Sequence, residues 1–240
     1  MTFNRLYRIY TNIILDENLV INIKDAQAHY LTTVLRLNIG SKFRIFNDSA
    51  REYLACIKHV SKNYLEVEIL HCIRELNREA ELLLGVCLIK SDRMLEAINM
   101  AVQLGVTEII PLISTRSQVK NINYQRVSKC IIEATEQSER LFVPFLRPII
   151  NLDHYIHTII QSNEMIIYAN EHENKENSIK LIKQFSDKVS LIIGPEGGFT
   201  EEELKMLANY GNSMSVSLSN NILRAETAVA AALAQIQMMR

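Results

Sequence analysis

The chain has 240 residues, of which 48% are hydrophobic, so it can bury a full core as one large domain or as two modest ones. Its 26 Lys and Arg residues nearly balance 27 Asp and Glu residues, which excludes the strongly basic composition of many nucleic-acid-binding proteins. Residues 1–74 carry ten basic against seven acidic side chains, and this excess favours the N-terminal part as a polyanion-facing surface.

Cysteine usage and hydropathy narrow the class of protein further. The four cysteines form no CxxC pair and no zinc-ligand spacing, which predicts a reduced protein without a disulfide framework or a metal site. The start of the sequence lacks the apolar core of a signal peptide, and the longest apolar run, residues 82–89, is far shorter than the ~20 residues that cross a bilayer. We therefore expect a soluble, cytoplasmic protein.

The first 70 residues predict a small barrel of short strands around one helix. β-branched and aromatic residues mark five strands, at residues 6–9, 19–23, 42–46, 52–59 and 64–70. Residues 25–37 have apolar side chains at helical spacing, and Asp25 is the candidate N-cap of this helix. The polar stretch 71–81 that follows predicts a linker.

After the linker, strands and helices alternate to the end of the chain. The predicted strands are residues 82–90, 106–113, 165–169, 189–193 and 214–218. The predicted helices are residues 91–105 with Ser91 as the cap, 123–141, 152–160, 177–185, 201–210 and 225–240. The strands are continuously apolar, which predicts a parallel α/β sheet that helices cover on both faces.

A glycine-rich turn between a strand and a helix is the most specific local pattern. Residues 194–199 read Gly-Pro-Glu-Gly-Gly-Phe, and a turn with few Cβ atoms lets a ligand approach the backbone. Thr200 and Glu203 stand at the spacing of a capping box, which defines the start of the next helix. Glu201, Glu202 and Glu203 take the place that a phosphate would occupy, so a neutral or cationic ligand is favoured. The alternative is a structural turn without a ligand.

Two further loops follow strands of the same predicted sheet. Residues 219–227 lead into the last helix and carry Arg224, Glu226 and Thr227, and residues 170–174 follow an earlier strand. Ligands of open parallel sheets bind at the carboxyl ends of the strands, so we expect loops from adjacent strands to line one pocket. An ion pair between Arg224 and Glu226 is the structural alternative to a role in this pocket.

Five segments, in order along the chain, together resemble a known family. Residues 29–40 read HYLTTVLRLNIG, residues 104–117 read LGVTEIIPLISTRS, residues 133–140 read EATEQSER with Val-Pro shortly after, residues 191–199 read LIIGPEGGF and residues 218–228 read LSNNILRAETA. These segments are similar to the motifs of the RsmE-type ribosomal RNA methyltransferases of the SPOUT superfamily. Because five matches occur in the same order over the whole chain, a structural turn without a ligand no longer explains the glycine motif convincingly.

The resemblance implies an α/β fold with two domains. Residues 1–72 would form a PUA-like β-barrel that contacts RNA, and residues 73–240 a SPOUT methyltransferase domain with a trefoil-knotted parallel sheet. Only the resemblance supplies the knot, because true knots are too rare to be chosen from a sequence pattern. The implied activity is the S-adenosylmethionine-dependent methylation of N3 of one uridine in the 16S rRNA of the small ribosomal subunit. The implied assembly is a homodimer in which the second subunit completes the site.

The cofactor implied by the resemblance is S-adenosylmethionine, whose sulfonium cation agrees with the acidic turn. The two loops would bind it through Gly194, Pro195, Glu196, Gly197, Gly198, Leu218, Asn220, Ile222, Leu223 and Thr227. The glutamates that follow the turn are expected only to cap their helix.

Uridine N3 carries a proton at neutral pH, so methyl transfer requires loss of this proton and stabilisation of the anionic pyrimidine. Arg224 is the candidate cation, because it directly follows a cofactor loop; a structural ion pair with Glu226 or with a partner subunit is the alternative. Glu226 and Glu196 are candidate bases, and the sequence does not decide between them. The candidate RNA-binding residues are Arg5, Arg8, Arg36, Lys42 and Arg44 of the barrel, with Arg116 nearer the cleft.

The chain departs from the family pattern at four positions. Ser219 and Asn221 stand where the family commonly has Gly and Arg, and Met100 and Gln103 stand where it has Lys and Glu. Ser219 is expected to adopt the loop conformation at some strain. The departures favour one alternative function, a catalytically silent RNA-binding or ribosome-assembly protein on the same fold. A nicotinamide oxidoreductase is disfavoured, because no GxGxxG follows residues 82–90.

Overall fold

The computed structural model describes residues 6–76, 80–160, 164–171 and 187–239. The chain divides into two compact units, of which the first contains Met1–Arg78 with Glu139–Val143 and the second contains Glu79–Ser138 with Pro144–Arg240. The return of residues 139–143 to the N-terminal unit was not predicted. The helix predicted at residues 177–185 lies outside the described residues.

The N-terminal unit contains a five-stranded sheet in the order β1-β3-β4-β5-β2. Its strands are β1 Arg8–Tyr10, β2 Val20–Lys24, β3 Lys42–Phe46, β4 Arg51–Val60 and β5 Tyr64–Glu75. β1 runs parallel to β3, and the other neighbours are antiparallel. Alternation along β2 and β5 buries one face of each strand against a core that includes Phe43, Ile45 and Ile57.

All five predicted strands of this unit occur, but the predicted linker begins too early. β5 continues to Glu75, whose backbone pairs with Arg51 of β4. The end of the strand is polar because its side chains are largely exposed there, and pairing with β4, rather than hydrophobicity, extends it.

The predicted helix 25–37 is two different helical turns. α1, Asp25–His29, is followed by a π-helix, Tyr30–Val34, in which the N–H of Leu35 bonds to the carbonyl of Tyr30. Asp25 is not the N-cap: Lys24 occupies that position without a side-chain bond, and Asp25 has a φ of 53°. Apolar spacing cannot separate an α-turn from a π-turn over so short a segment.

The C-terminal unit is an α/β sheet whose strand pairs, in the described chain, are all parallel. The order is β12-β10-β11-β6-β7-β8, and β9 also pairs with β7. The strands are β6 Glu81–Cys87, β7 Glu108–Ile113, β8 Phe145–Leu146, β9 Ile150–Asn151, β10 Met165–Ala169, β11 Lys188–Ile193 and β12 Ser213–Val216. The helices are α2 Ser91–Gln103, α3 Tyr124–Gln137, α4 Leu152–Ile160, α5 Glu201–Ala208 and α6 Ala225–Met239.

Helices pack on the sheet as the continuous apolar strands predict. α4 and α5 share a core cluster with β6, β7, β10 and β11, whereas α2 packs against α3 and α6, and α6 packs against β11. The strands lie between these layers, which explains why β6 is buried from Leu82 to Cys87. Among the described helices, none combines the length and apolar character that crossing a bilayer requires.

Two predicted helix ends are corrected by the structure. Ser91 is the first residue of α2 rather than its cap, and its hydroxyl instead accepts a bond from Arg126. α3 ends at Gln137 rather than residue 141, because Glu139 has a φ of 57° and the chain then joins the N-terminal unit. The other predicted bounds in this unit differ from the observed ones by a few residues.

Candidate active site at the carboxyl ends of three strands

A cavity of about 340 Å³ lies in the C-terminal unit, where β10, β11 and β12 end. Its walls include the glycine turn after β11, the loop after β12 and the start of the loop after β10. We predicted that the two main loops come from adjacent strands. They follow β11 and β12 instead, and β10 lies between these two strands. Asn170 and Glu171, which follow β10, therefore line the cavity between them.

The glycine turn has a defined backbone shape. Gly198 has a φ of 66°, which favours glycine, and its N–H donates to the carbonyl of Pro195 at 2.9 Å. At Gly194, an added Cβ would lie 3.1 Å from the ring of Phe199. The ring therefore packs closely on the start of the turn, and these two glycines have different functions.

The capping box predicted after the turn is confirmed. The hydroxyl of Thr200 accepts the N–H of Glu203 at 3.2 Å, and Glu203 Oε2 accepts the N–H of Thr200 at 2.8 Å. The expectation that these glutamates only cap the helix is wrong for Glu203. Its second oxygen, Oε1, accepts the N–H of Thr115 at 2.7 Å, which links the turn to the loop after β7.

Arg116 contacts the same turn from the loop after β7. Its Nη1 donates to the carbonyl of Gly197 at 2.9 Å and to that of Phe199 at 3.1 Å. Arg116 also lines the cavity. The residue predicted to face RNA is thus bound to the backbone of the glycine turn.

Arg93, on the first turn of α2, is a cavity residue that the sequence reasoning missed. Its Nη1 lies 3.1 Å from Glu196 Oε1, and its Nε lies 4.0 Å from Glu226 Oε1. The rule that ligands bind at the carboxyl ends of parallel strands could have found it, because Arg93 follows β6. One arginine therefore connects the glycine turn to the helix start that follows the second loop.

Arg224 and Glu226 do not form the ion pair considered from the sequence. Arg224 is exposed and lines the cavity, and within the described chain it has no side-chain hydrogen bond or ion pair. Glu226 is 7% exposed, does not line the cavity, and its Oε2 has no hydrogen-bond partner among the described residues. The cation at the cavity is therefore available, whereas the carboxylate is held near Arg93.

The loop after β12 adopts its conformation without the strain expected at Ser219. Ser219 has no left-handed φ, and its hydroxyl accepts the N–H of Asn221 at 3.1 Å. A serine that bonds its own backbone two residues on stabilises such a turn. The change from the family's common glycine is therefore compatible with this loop.

Most of the predicted cofactor-binding residues come together. The cavity is lined by Gly194, Pro195, Glu196, Gly198, Leu218, Asn220, Ile222 and Leu223. Gly197 and Thr227 do not line it. Gly197 still belongs to the wall through its carbonyl bond to Arg116, while Thr227 is exposed on α6.

The predicted RNA-binding residues of the N-terminal unit fall into two groups. Arg8 and Arg44 are only 8% and 4% exposed, and both approach the fully buried carboxylate of Glu52. Their burial does not meet the expectation of an RNA-facing surface. Arg36 and Lys42 are exposed, without an ion pair in the described part of the unit. Arg5 lies outside the described residues.

The buried arginines instead hold the segment 139–143 within the N-terminal unit. Arg44 Nη2 lies 2.7 Å from Glu139 Oε1, and Arg8 donates to the carbonyl of Arg140. The bond from Arg44 is the main cause that lowers the pKa of Glu139, and the same bond raises the pKa of Arg44. For Arg8, burial outweighs the attraction of Glu52 and lowers its pKa.

The four cysteines are free, and the described ranges contain no cluster of His, Cys, Asp or Glu that could hold a metal ion. The charged side chains that line the cavity are Arg93, Arg116, Glu171, Glu196 and Arg224. Burial raises the pKa of the Cys87 thiol to about 12, so this side chain in the sheet is a poor nucleophile.

Comparisons with known proteins agree with both units. Residues 76–237 match the model of the RNA methyltransferase domain, and residues 23–70 match that of the RNA methyltransferase PUA domain. Ribosomal RNA small subunit methyltransferase E of Rickettsia conorii is 45% identical over 97% of this chain and 95% of its own length.

Two solved structures resemble the chain over nearly its whole length. The protein of the same name from Neisseria gonorrhoeae, bound to S-adenosyl methionine, is 29% identical with a TM-score of 0.88 and 98% coverage of both chains. A Legionella pneumophila protein in complex with the bound cofactor SAM is 30% identical with a TM-score of 0.87, again with 98% coverage of both chains. The matches confirm the predicted fold class, an α/β protein with a SPOUT-type parallel sheet and an N-terminal PUA-like barrel. By the extent of the domain match and its identity to the Rickettsia protein, the chain belongs to the RsmE family of ribosomal RNA small subunit methyltransferases.

Proposed function

We propose that this protein transfers a methyl group from S-adenosylmethionine to N3 of one uridine in the 16S rRNA of the small ribosomal subunit. The observation that carries the proposal is the cavity after β10, β11 and β12, where both predicted cofactor loops meet in a chain of this family. The proposal assigns residues 73–240 to methyl transfer and residues 1–72 to RNA contact.

The residues of the cavity fit the proposed cofactor. A volume of about 340 Å³ is at the small end of the ~300–1,000 Å³ typical of ligand pockets. Glu171 and Glu196 suit the cationic groups of the cofactor, and the neighbouring arginines suit its carboxylate. Leu218 and Leu223 offer apolar surface to a flat base. When bound, the cofactor supplies an electrophilic methyl group.

Arg224 stabilises the negative charge that develops on the pyrimidine when N3 loses its proton. It lines the cavity and is not neutralised by a carboxylate of the described chain, unlike Arg93, which has Glu196 within 3.1 Å. A positive charge fixed at the place where an anion forms lowers the barrier of the reaction. This support from geometry favours Arg224 over the other arginines of the cavity.

Glu196 accepts the N3 proton, and Glu226 acts through Arg93. Glu196 lines the cavity, whereas Glu226 is buried outside it with Oε1 4.0 Å from Arg93. A base must come within hydrogen-bond reach of the proton that it removes. The position of Glu226 suits a carboxylate that keeps Arg93 in place.

RNA contact is assigned to the exposed cations of the N-terminal unit. Arg36 and Lys42 remain from the predicted set, and Lys24 and Lys62 are further exposed cations of the same unit. Phosphate contacts by such side chains give binding that weakens with salt. A homodimer in which the second subunit completes the site, and a cytoplasmic location, belong to the same proposal. A monomer in sedimentation analysis at assay concentrations would remove the dimer from it.

The decisive experiment is mass spectrometry of small-subunit rRNA from a strain that lacks this protein. Loss of one N3-methyluridine, restored by the wild-type gene, is the expected result. An unchanged modification pattern would contradict the proposed reaction. The alternative of a catalytically silent RNA-binding protein rests on the departures at Ser219 and Asn221, and calorimetry with S-adenosylmethionine separates the two, because a silent homologue has no reason to keep the cofactor site.

The role of Arg224 is tested with purified protein. Arg224→Ala is expected to lower turnover about 100-fold, as loss of a charge-stabilising donor does in other enzymes. The dissociation constant of S-adenosylmethionine should stay within about threefold, since a threefold change is less than 1 kcal/mol. Equal losses of turnover and cofactor affinity would overturn this assignment.

A further inference from the structure

The loop that follows β7, residues 114–117, is attached to the glycine turn at two points. We propose that Arg116 and Glu203 hold this turn in its cofactor-binding conformation, so that Arg116 is a positioning residue for the cofactor and not an RNA contact. The inference rests on the proposed function for the identity of the ligand. The conformation itself is defined by hydrogen bonds between residues of this chain.

Two peptide units of the turn are fixed at both ends. In the first unit, the carbonyl of Gly197 accepts from Arg116 and the N–H of Gly198 donates to Pro195. In the second unit, the carbonyl of Phe199 accepts from Arg116 and the N–H of Thr200 donates to Glu203. A peptide unit that is bonded on both sides cannot rotate without losing two hydrogen bonds.

A glycine turn loses its conformation when one of its peptide units rotates. Glycine occupies left-handed and right-handed regions with similar ease, so a Gly-Gly peptide flips at low cost when nothing holds its carbonyl. Gly198, with its φ of 66°, is in one of these two states. The bond from Arg116 to Gly197 therefore selects the conformation that leaves the turn open to the cavity.

The loop that supplies Arg116 has hydrogen bonds of its own. The Ser117 hydroxyl accepts the N–H of Ser114 at 3.1 Å, and the two hydroxyls lie 2.9 Å apart, with both residues buried. Thr115 then donates its N–H to Glu203, which is 4% exposed. The turn after β11 is thus tied to the end of β7, two strands away across β6.

A guanidinium group suits this position better than an ammonium group. One Nη of Arg116 reaches two carbonyls while the planar group keeps a fixed direction. A lysine carries the same charge on a flexible stem, so it is expected to satisfy one carbonyl and to restore the turn only in part. This difference separates a positioning role from simple charge.

The test measures cofactor binding and RNA binding on the same variants. Arg116→Ala is expected to raise the dissociation constant of S-adenosylmethionine about tenfold, the size of one lost charge-assisted bond, with Arg116→Lys in between. Turnover at saturating cofactor and the KM for RNA should change less than about twofold, which is below 0.5 kcal/mol. Arg147→Ala is the matched control, because Arg147 is exposed and pairs with Glu108 at the opposite end of β7.

Hydrogen–deuterium exchange of the ligand-free protein gives a readout that needs no cofactor. The peptide that covers residues 194–200 should exchange faster in Arg116→Ala and in Glu203→Gln, and at the wild-type rate in Arg147→Ala. Unchanged exchange together with unchanged cofactor affinity would overturn the inference. Loss of RNA affinity alone would assign Arg116 to RNA. If the wild-type protein does not bind S-adenosylmethionine, the proposed function fails, and the exchange measurement still decides the conformational role.

Discussion

Glu52 lies fully buried in the N-terminal unit with three arginines around its carboxylate. Arg8, Arg44 and Arg74 approach it at 2.5, 3.8 and 3.5 Å. Arg8 also lies 3.7 Å from the centre of the Phe46 ring, which adds a cation–π contact. A buried charge is costly unless partners of opposite sign surround it, so Arg8 and Arg44 are bound in the interior of the unit, while Arg74 approaches from its surface.

Glu139 completes this network and makes it sensitive to acid. Because the bond from Arg44 lowers the pKa of Glu139 below its ordinary value of 4.5, the folded state favours the ionised carboxylate. Its contribution to stability is therefore complete above the ordinary pKa and is lost as the pH falls through the lowered value. The side chain is 44% exposed, so solvent screening keeps the contribution below about 1 kcal/mol.

The corresponding prediction compares wild type with Glu139→Gln in urea unfolding. The difference in the free energy of unfolding should be largest above the ordinary pKa of 4.5 and should shrink as the pH falls through the lowered pKa of Glu139, because the wild-type carboxylate becomes protonated there. The neutral amide has no such dependence. A difference that stays constant over this range would show that Glu139 contributes by packing alone.

The two carboxylates near Arg93 are expected to differ in their effect on turnover. Glu196→Gln should lower turnover at least about tenfold, since an amide cannot accept the proton. Glu226→Gln should lower turnover less, because Glu226 acts through Arg93. A larger loss of turnover in Glu226→Gln than in Glu196→Gln would exchange the two roles.

Among single elements, the glycine turn shows which local features can be predicted from the sequence. The sequence predicted the strand before the turn, the capping box at Thr200 and Glu203, and the ligand-facing backbone between them, because these depend on contacts within a few residues. The same reasoning missed the π-helix Tyr30–Val34 and the strands β8 and β9. Segments of two to five residues are too short to show a period.

Gly198 tests the turn itself. Gly198→Ala places a Cβ 3.6 Å from Glu171, an ordinary contact, so its expected cost is the left-handed backbone, about 1–2 kcal/mol. We expect lower thermal stability and at least about tenfold weaker binding of S-adenosylmethionine in calorimetry. Gly40→Ala has the same strain in the other unit, with open space around its Cβ, and should lower stability without affecting binding. Equal binding by wild type and Gly198→Ala would show that the turn does not need this conformation.

For the whole molecule, the number of cations available to RNA depends on which of them form ion pairs on folding. The excess of basic residues in 1–74 includes Arg8 and Arg44, which the fold neutralises internally, and Arg51, which pairs with Glu75. The cations left for RNA are therefore fewer than the composition indicates.

This leads to a prediction about the salt dependence of RNA binding. Arg36→Ala should weaken binding to small-subunit rRNA and reduce the slope of log affinity against log salt by about 0.7–0.9, the value for one phosphate contact. Arg51→Ala is the control, because this exposed arginine of the same unit already pairs with Glu75. Equal slopes for wild type and Arg36→Ala would remove Arg36 from the RNA surface.

Three features of this protein follow from the sequence by itself. Apolar periodicity gave the alternation of strands and helices, the Gly-Pro-Glu-Gly-Gly turn gave a ligand-approach site, and five ordered motifs gave the family. Each of these depends on neighbours along the chain or on similarity summed over its length. The glycine turn and residues 218–223 were named as the cofactor walls for these reasons, and most of them do line one cavity.

Only the tertiary structure decided which distant groups meet. It placed β10 between β11 and β12, brought Arg93 to Glu196 across 103 positions, and set Arg116 on the carbonyl of Gly197 across 81. A long charged side chain has no sequence-local preference that names its partner, because its energy depends on what folding brings within about 4 Å. The roles of the arginines therefore follow from the fold, whereas the glycine turn that two of them hold could be recognised before it.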